Sequence, residues 1–117
     1  MLGTSRDDPC PPEVQTEVLS VEQAQLVAET FQVLGDPTRV RIVHALSLSE
    51  LCTSDLAARV DMSESAVSHQ LRTLRQLQVV RTRREGKLVY YALNDAHIRR
   101  LFEQGLEHAF EMESRGK

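Results

Sequence analysis

Between Thr53 and Leu93 the chain carries two helical patterns separated by a two-residue break, followed by two extended runs joined around a single glycine. Thr53 or Ser54 is placed to cap a short helix bearing Leu56, Ala57 and Val60, and after Asp61-Met62, Ser63 is placed to cap a longer one. Two short-linked helices of this kind predict a helix-turn-helix. The runs Val79 to Arg84 and Leu88 to Leu93 are rich in valine, threonine and tyrosine, and Glu85-Gly86-Lys87 between them predicts a hairpin turn. A two-stranded hairpin placed after a helix-turn-helix is a wing.

The flanks complete the outline. Residues 1–18 hold Pro9, Pro11 and Pro12 without sustained periodicity and read as a flexible arm, which leaves 19–117 as one folded unit. Ser20 with Gln23 forms a capping-box pattern, after which Ala24, Val27, Ala28, Phe31 and Leu34 repeat at helical spacing up to Gly35. Asp36-Pro37 starts a second helix, with Val40, Val43 and Leu46 on its buried side and an end near Ser47. Asn94 or Asp95 caps the last helix, whose stripe of Ile98, Leu101, Phe102, Gly105, Leu106, Ala109 and Met112 is too wide for one small domain to cover. The expected fold is therefore α+β and mainly helical, a winged helix-turn-helix of about five helices plus a two-stranded hairpin, assembled as a homodimer.

A length of 117 residues suits a single compact unit and leaves little chain with which to enclose a large substrate cleft, so no small-molecule substrate is expected. No apolar run approaches the roughly 20 residues that span a bilayer, and MLGTSRDDPCPPE lacks the apolar core of a secretory signal. The expectation is a cytoplasmic protein with no membrane partner. The net charge of −3 would argue against a nucleic-acid partner if it were evenly spread. It is not: between Arg59 and Tyr91 seven basic residues outnumber three acids, a local +4, so the remainder carries −7. The field that a polyanion meets depends on that local patch.

In the fourth helix Val67, Leu71, Leu74 and Gln78 share one side, while Ser65, His69, Arg72 and Gln76 share the other with Ser68 beside them. Ser63, Ser65, Ser68, His69, Gln70 and Arg72 are side chains suited to base edges and phosphates on a major-groove helix. Arg81, Arg83, Arg84 and Lys87 on the hairpin supply cations for phosphate or minor-groove contacts. Any one of these charges alone would be read as a solvated surface residue. Helix-turn-helix spacing, a polar helix face and a basic hairpin together point to operator DNA.

The segments LGDPTRVRIVHAL, ELCTSDLA, SESAVSHQLRTLRQLQVV and REGKLVYYAL resemble the ArsR/SmtB family of metal-sensing repressors, over roughly residues 20–113. That resemblance implies a winged-helix homodimer bound to an operator of dyad symmetry and released by a metal ion.

Asp95-x-His97 and His108-x-x-Glu111 carry the ligand types of zinc and neighbouring divalent metals, with His108 and Glu111 on one helical face. His97 and His108 are eleven residues apart, about 16 Å along a straight helix, against the ~4 Å that two ligands of one ion can span. One helix cannot close such a site. Two antiparallel copies can, with Asp95 and His97 of one protomer meeting the partner's His108 and Glu111. Asp95, His97, His108 and Glu111 also match the C-terminal helix site of SmtB-like zinc sensors, so the resemblance implies Zn2+ as allosteric effector, with Co2+, Ni2+ or Cd2+ as alternatives.

Cys52 and Asp55, joined by Cys10 of the arm, form a candidate second metal site; the competing reading makes Cys52 a small half-buried hydrophobe and Cys10 a free thiol. The family's thiol-rich sensors hold two cysteines spaced by one residue where this chain has Cys52-Thr53-Ser54, which speaks against arsenite or lead. His44 is read as structural or exposed. A hydrolytic zinc enzyme would need an open coordination position, a general base and a cleft, none of which is legible, and a metal-storage or interaction module without operator specificity is the other rival. Protons compete with a metal for imidazole nitrogen, so zinc affinity should fall as the pH is lowered from about 7.5 to about 5.5. Titration against a chromophoric zinc competitor checks this, and an affinity flat over that range would remove the histidines from the ligand set.

Overall fold

Four of the five helix starts among the described residues are written by a local side-chain hydrogen bond. A computed structural model of the protein describes residues 17–116. Ser20 and Gln23 exchange both bonds of a capping box at the start of α1 (Val21–Val33). Asp36 accepts the Arg39 N–H at 3.0 Å, and Pro37 opens α2 (Pro37–Leu48), where its missing N–H has no intrahelical partner to lose. Ser63 accepts from the Ala66 N–H at the head of α4 (Glu64–Gln76), and Asp95 does the same for Ile98 at the head of α5 (Ala96–Arg115). The helix between them, α3 (Thr53–Val60), departs from expectation: its N-cap is Cys52, with no side-chain cap bond, rather than Thr53 or Ser54. The cause is the strand that feeds it.

That strand, β1 (Leu51–Cys52), is a further departure. It pairs antiparallel with β3 (Leu88–Leu93), which also pairs with β2 (Val80–Glu85), so the expected two-stranded wing is the outer part of a three-stranded sheet ordered β1-β3-β2. Two residues are too few to show an alternating pattern, and what holds β1 is long-range: Leu51 opposite Tyr91 and Cys52 opposite Tyr90. The hairpin turn is one residue tighter than Glu85-Gly86-Lys87, because Glu85 pairs with Leu88 and only Gly86 and Lys87 turn. Gly86 takes φ +63°, in the first turn position where glycine alone is unstrained.

The core forms where α2, α3, α4 and the sheet meet. Ile42 and Val43 of α2, Leu56 of α3, and Val67, Leu71 and Leu74 of α4 are fully buried, with Val79, Val80 and Leu93 closing the sheet side. Gln78, expected on the apolar side of the fourth helix, lies beyond its end. There it takes φ +60°, its N–H donates to the Arg75 carbonyl, and the Val79 N–H reaches back to Leu74. This is a Schellman stop built on glutamine instead of glycine. Asp61 likewise adopts the left-handed region between α3 and α4 and makes the turn of the helix-turn-helix.

Two helices are only lightly held by this core. Val33 is the one buried residue of α1, and Val27 and Phe31 on its expected apolar face stay exposed, as does Leu26 beside them. Phe102 is the one buried residue of α5, with Ile98 and Leu106 partly covered and Phe110 and Met112 exposed. Among the described residues no helix is long and apolar enough to cross a membrane.

Two substitutions test the local chemistry. Asp36→Ala should lower stability by about 1 kcal/mol through loss of the cap, whereas Gln78→Gly should raise it by about 0.5 kcal/mol by relieving the left-handed residue, less the added freedom of the unfolded chain. Urea unfolding of both variants gives the two signs, and a destabilised Gln78→Gly would show that the glutamine side chain holds more than its backbone strain costs.

Candidate functional site

With Val67, Leu71 and Leu74 at zero exposure, the opposite face of α4 is fixed outward. Ser65, His69 and Arg72 are exposed on it, while Ser68 and Gln70 lie half-buried at its flanks. The Ser63 hydroxyl spends one lone pair on the Ala66 N–H and stands 3.4 Å from the Ser65 hydroxyl. Gln70 is less free than its sequence position suggests. Its Oε1 accepts from Arg39 Nε at 3.0 Å, so one lone pair of that oxygen is taken, and its second lone pair and the amide N–H groups remain for another partner.

On the wing, alternation along β2 puts Arg81 and Arg83 on one face and Arg84 on the other. Arg83 shares a face with Glu85 and is occupied: its Nε donates to Glu50 at 2.8 Å, its Nη1 to Glu85 at 2.5 Å, and its guanidinium lies 4.7 Å from the centre of the Tyr90 ring. Glu85 first and Glu50 second hold this group firmly in its charged form. Arg83 thus ties the wing to the segment ahead of β1. Arg81, Arg84 and Lys87 are exposed, and among the described residues no ion pair engages them.

The two ends of α5 present the candidate metal ligands. Asp95 splits its work: Oδ1 caps the helix through the Ile98 N–H at 3.0 Å, and Oδ2 lies 3.7 Å from His97 Nδ1. The Ile98 N–H, with a smaller contribution from the neighbouring imidazole, holds the Asp95 carboxyl below its ordinary pKa. A depressed carboxylate contributes its stabilisation at neutral pH and loses it as pH falls through the lowered value, so the cap is present wherever a metal would bind. His97 is exposed, so a carboxylate oxygen and an imidazole nitrogen face solvent at one point. Further along, His108 and Glu111 are both exposed, and Glu111 accepts from Arg115 at 3.0 Å, a surface pair that holds it weakly. These oxygen and nitrogen donors fit a divalent ion chemically. Among the described residues no three His, Cys, Asp or Glu side chains converge, which is the geometry that the eleven-residue spacing imposes on a single chain.

Of the second candidate set, Cys10 lies outside the described residues. Cys52 is a buried free thiol in β1 with its sulfur 3.4 Å from the Ser54 hydroxyl, and Asp55 is exposed in the first turn of α3. His44 is exposed, its ring 5.9 Å from that of Phe102. Three arginines that the sequence reading did not single out make tertiary bonds: Arg39, to Gln70; Arg41, whose Nη1 donates to the Val60 carbonyl at 2.9 Å; and Arg99, whose Nη1 donates to the Ser47 carbonyl at 2.6 Å. Their partners are 31, 19 and 52 residues away, beyond the reach of any local pattern.

Residues 36–82 match the family described as bacterial regulatory protein, arsR family. A transcriptional repressor SmtB homolog of Synechocystis sp. is 51% identical over 82% of this chain and 73% of its own length. A cadmium resistance transcriptional regulatory protein CadC homolog of Staphylococcus aureus is 45% identical over 77% of this chain and 75% of its own. Among solved structures, the AntR antimony-specific transcriptional repressor superposes with a TM-score of 0.76 at 36% identity, covering 92% of this chain and 98% of that one. A homodimeric winged helix-turn-helix DNA-binding domain from Mycobacterium bovis gives 0.76 at 26% identity, over 83% of this chain and 93% of that one. A buried helix-turn-helix core, an outward polar recognition helix, a basic wing and these relatives lead to one conclusion: the chain belongs to the ArsR/SmtB family of bacterial regulatory proteins, as a winged helix-turn-helix transcription regulator and not an enzyme.

Proposed function

We propose that this protein is a metal-responsive transcriptional repressor, a homodimer that holds operator DNA when metal-free and leaves it when zinc binds between its two α5 helices. The observation that carries the reading is the division of donors on α5. Asp95 and His97 stand exposed at its start, with His108 and Glu111 exposed about 16 Å further on, too far apart to serve one ion in one chain.

Asp95 and His97 of one protomer with the partner's His108 and Glu111 would hold the ion, twice per dimer. Bound there, zinc supplies a four-coordinate cross-link between protomers. The protein does the rest. Leu26, Val27 and Phe31 of α1 and Phe110 and Met112 of α5 offer the apolar surface that a second copy would cover. A Cβ on Gly105, midway along α5, would meet no atom within 4 Å in the single chain, which leaves room for a second helix to approach closely. In the free dimer Ser65, His69 and Arg72 enter successive major grooves, with Arg81, Arg84 and Lys87 on phosphates. Cross-linking α5 to its partner selects a protomer orientation in which the two α4 helices no longer match that spacing, so the ion and the operator oppose each other by linkage.

The choice of zinc rests on donor chemistry. Relatives carry cadmium and antimony in their names, but thiophilic ions favour sulfur, and the four α5 donors are nitrogen and oxygen only. Cobalt, nickel and cadmium are the comparisons to run beside it.

Fluorescence anisotropy on a palindromic operator is the test. Stoichiometric zinc should release the wild type, while His97→Ala and His108→Ala should stay bound with metal-free affinity within about threefold of wild type. Release of all three alike would remove α5 as the switch, and a metal-free protein that ignores the operator would remove the repressor. Gly105→Leu should shift the protein toward monomer in sedimentation velocity; an unchanged dimer would move the interface away from the middle of α5.

A further inference from the structure

One helix, α2, makes side-chain contacts with both α5 and the recognition helix. At the C-terminal end of α2 the Arg99 guanidinium of α5 donates to the Ser47 carbonyl at 2.6 Å. One turn earlier the His44 ring packs 5.9 Å from Phe102, the buried anchor of α5. At the N-terminal end Arg39 donates to Gln70 of α4 at 3.0 Å. Between these contacts Ile42 and Val43 are fully buried and Arg41 donates to the Val60 carbonyl of α3 at 2.9 Å, so the middle of α2 is seated on the core. The polar contacts at its two ends come from charged donors, which makes them short-range and directional.

We infer that α2 acts as a strut pinned by Arg99 at one end and Arg39 at the other, and that Arg39 and Arg99 are positioning residues that transmit the state of α5 to the recognition helix. This rests on the reading of α5 as the effector helix. Arg99 lies in the turn after His97, so a displacement of the α5 N-terminus moves its guanidinium and the α2 carbonyl that it holds. A helix of twelve residues is about 18 Å long and nearly rigid along its axis, so the displacement reappears at Arg39. There it acts on Gln70, at the flank of the DNA-reading face. Gln70 is then a positioning residue as well, because its carbonyl oxygen belongs to the strut.

The test uses the full-length dimer and reads the ratio of operator affinities without and with saturating zinc, saturation being set by titrating each free variant. Arg39→Met and Arg99→Met keep the apolar stem of each side chain and remove the donor. Each should lower the wild-type ratio by at least about fivefold or to unity, within the usual range of such couplings. Because the pins act in series, Arg39→Met/Arg99→Met should lose no more than the worse single variant. Gln70→Leu breaks the first pin from the other side, should Arg39→Met fail to fold. A weakened pin with a purely structural role would lower both affinities and leave the ratio intact, and that outcome overturns the inference. So does a double variant whose loss is the product of the two single losses. A wild type indifferent to zinc defeats the proposed function itself and this inference with it, whereas a responsive wild type with responsive variants defeats only the strut.

Discussion

The burial of three residues on α4 decides which face this helix turns to solvent. Val67, Leu71 and Leu74 are removed from water completely, each burial contributing on the order of 1.5–3 kcal/mol, and together they fix the rotation of α4 about its own axis. The outward presentation of Ser65, His69 and Arg72 is the geometric remainder of that choice. The turn at Asp61, the Schellman stop at Gln78 and the sheet that begins at Val80 all hold the same helix in place from its two ends.

α1 and α5 obey a different logic. Each places a single buried side chain in the core, Val33 or Phe102, and leaves apolar surface uncovered. An exposed apolar stripe on an otherwise well-packed small domain is best explained by a partner, and the candidate ligands sit on the same helix at its two ends. Assembly and effector binding would then use one element. Arg99 and the His44–Phe102 contact attach it to α2, so the lightly held helix is still mechanically tied to the well-packed part.

Polarised charge separates the working surfaces. Arg81, Arg84 and Lys87 are left without ion pairs among the described residues, whereas Arg83 is consumed by Glu50 and Glu85. From sequence all four stand alike as cations for phosphate or minor-groove contacts, because alternation on a strand tells which residues share a face and not which acids face them. Glu50 reaches Arg83 only because β1 lies beside the wing in the folded sheet.

The amino-acid sequence by itself determined the helices, the hairpin, the outward polar face of α4 and the family. Those features are local: caps at Ser20, Asp36, Ser63 and Asp95, periods of 3.6 and 2, and a glycine where φ must be positive, each readable within a few residues. It also determined that Asp95 and His97 could not meet His108 and Glu111 in one chain, because helix rise alone forbids it. Only the tertiary structure decided that a two-residue strand joins the wing, that α3 starts without a side-chain cap, that Arg83 is neutralised and that Arg39 and Arg99 pin α2. Each of these depends on groups brought together from tens of residues away, and such contacts are set by how the core packs rather than by any pattern along the chain.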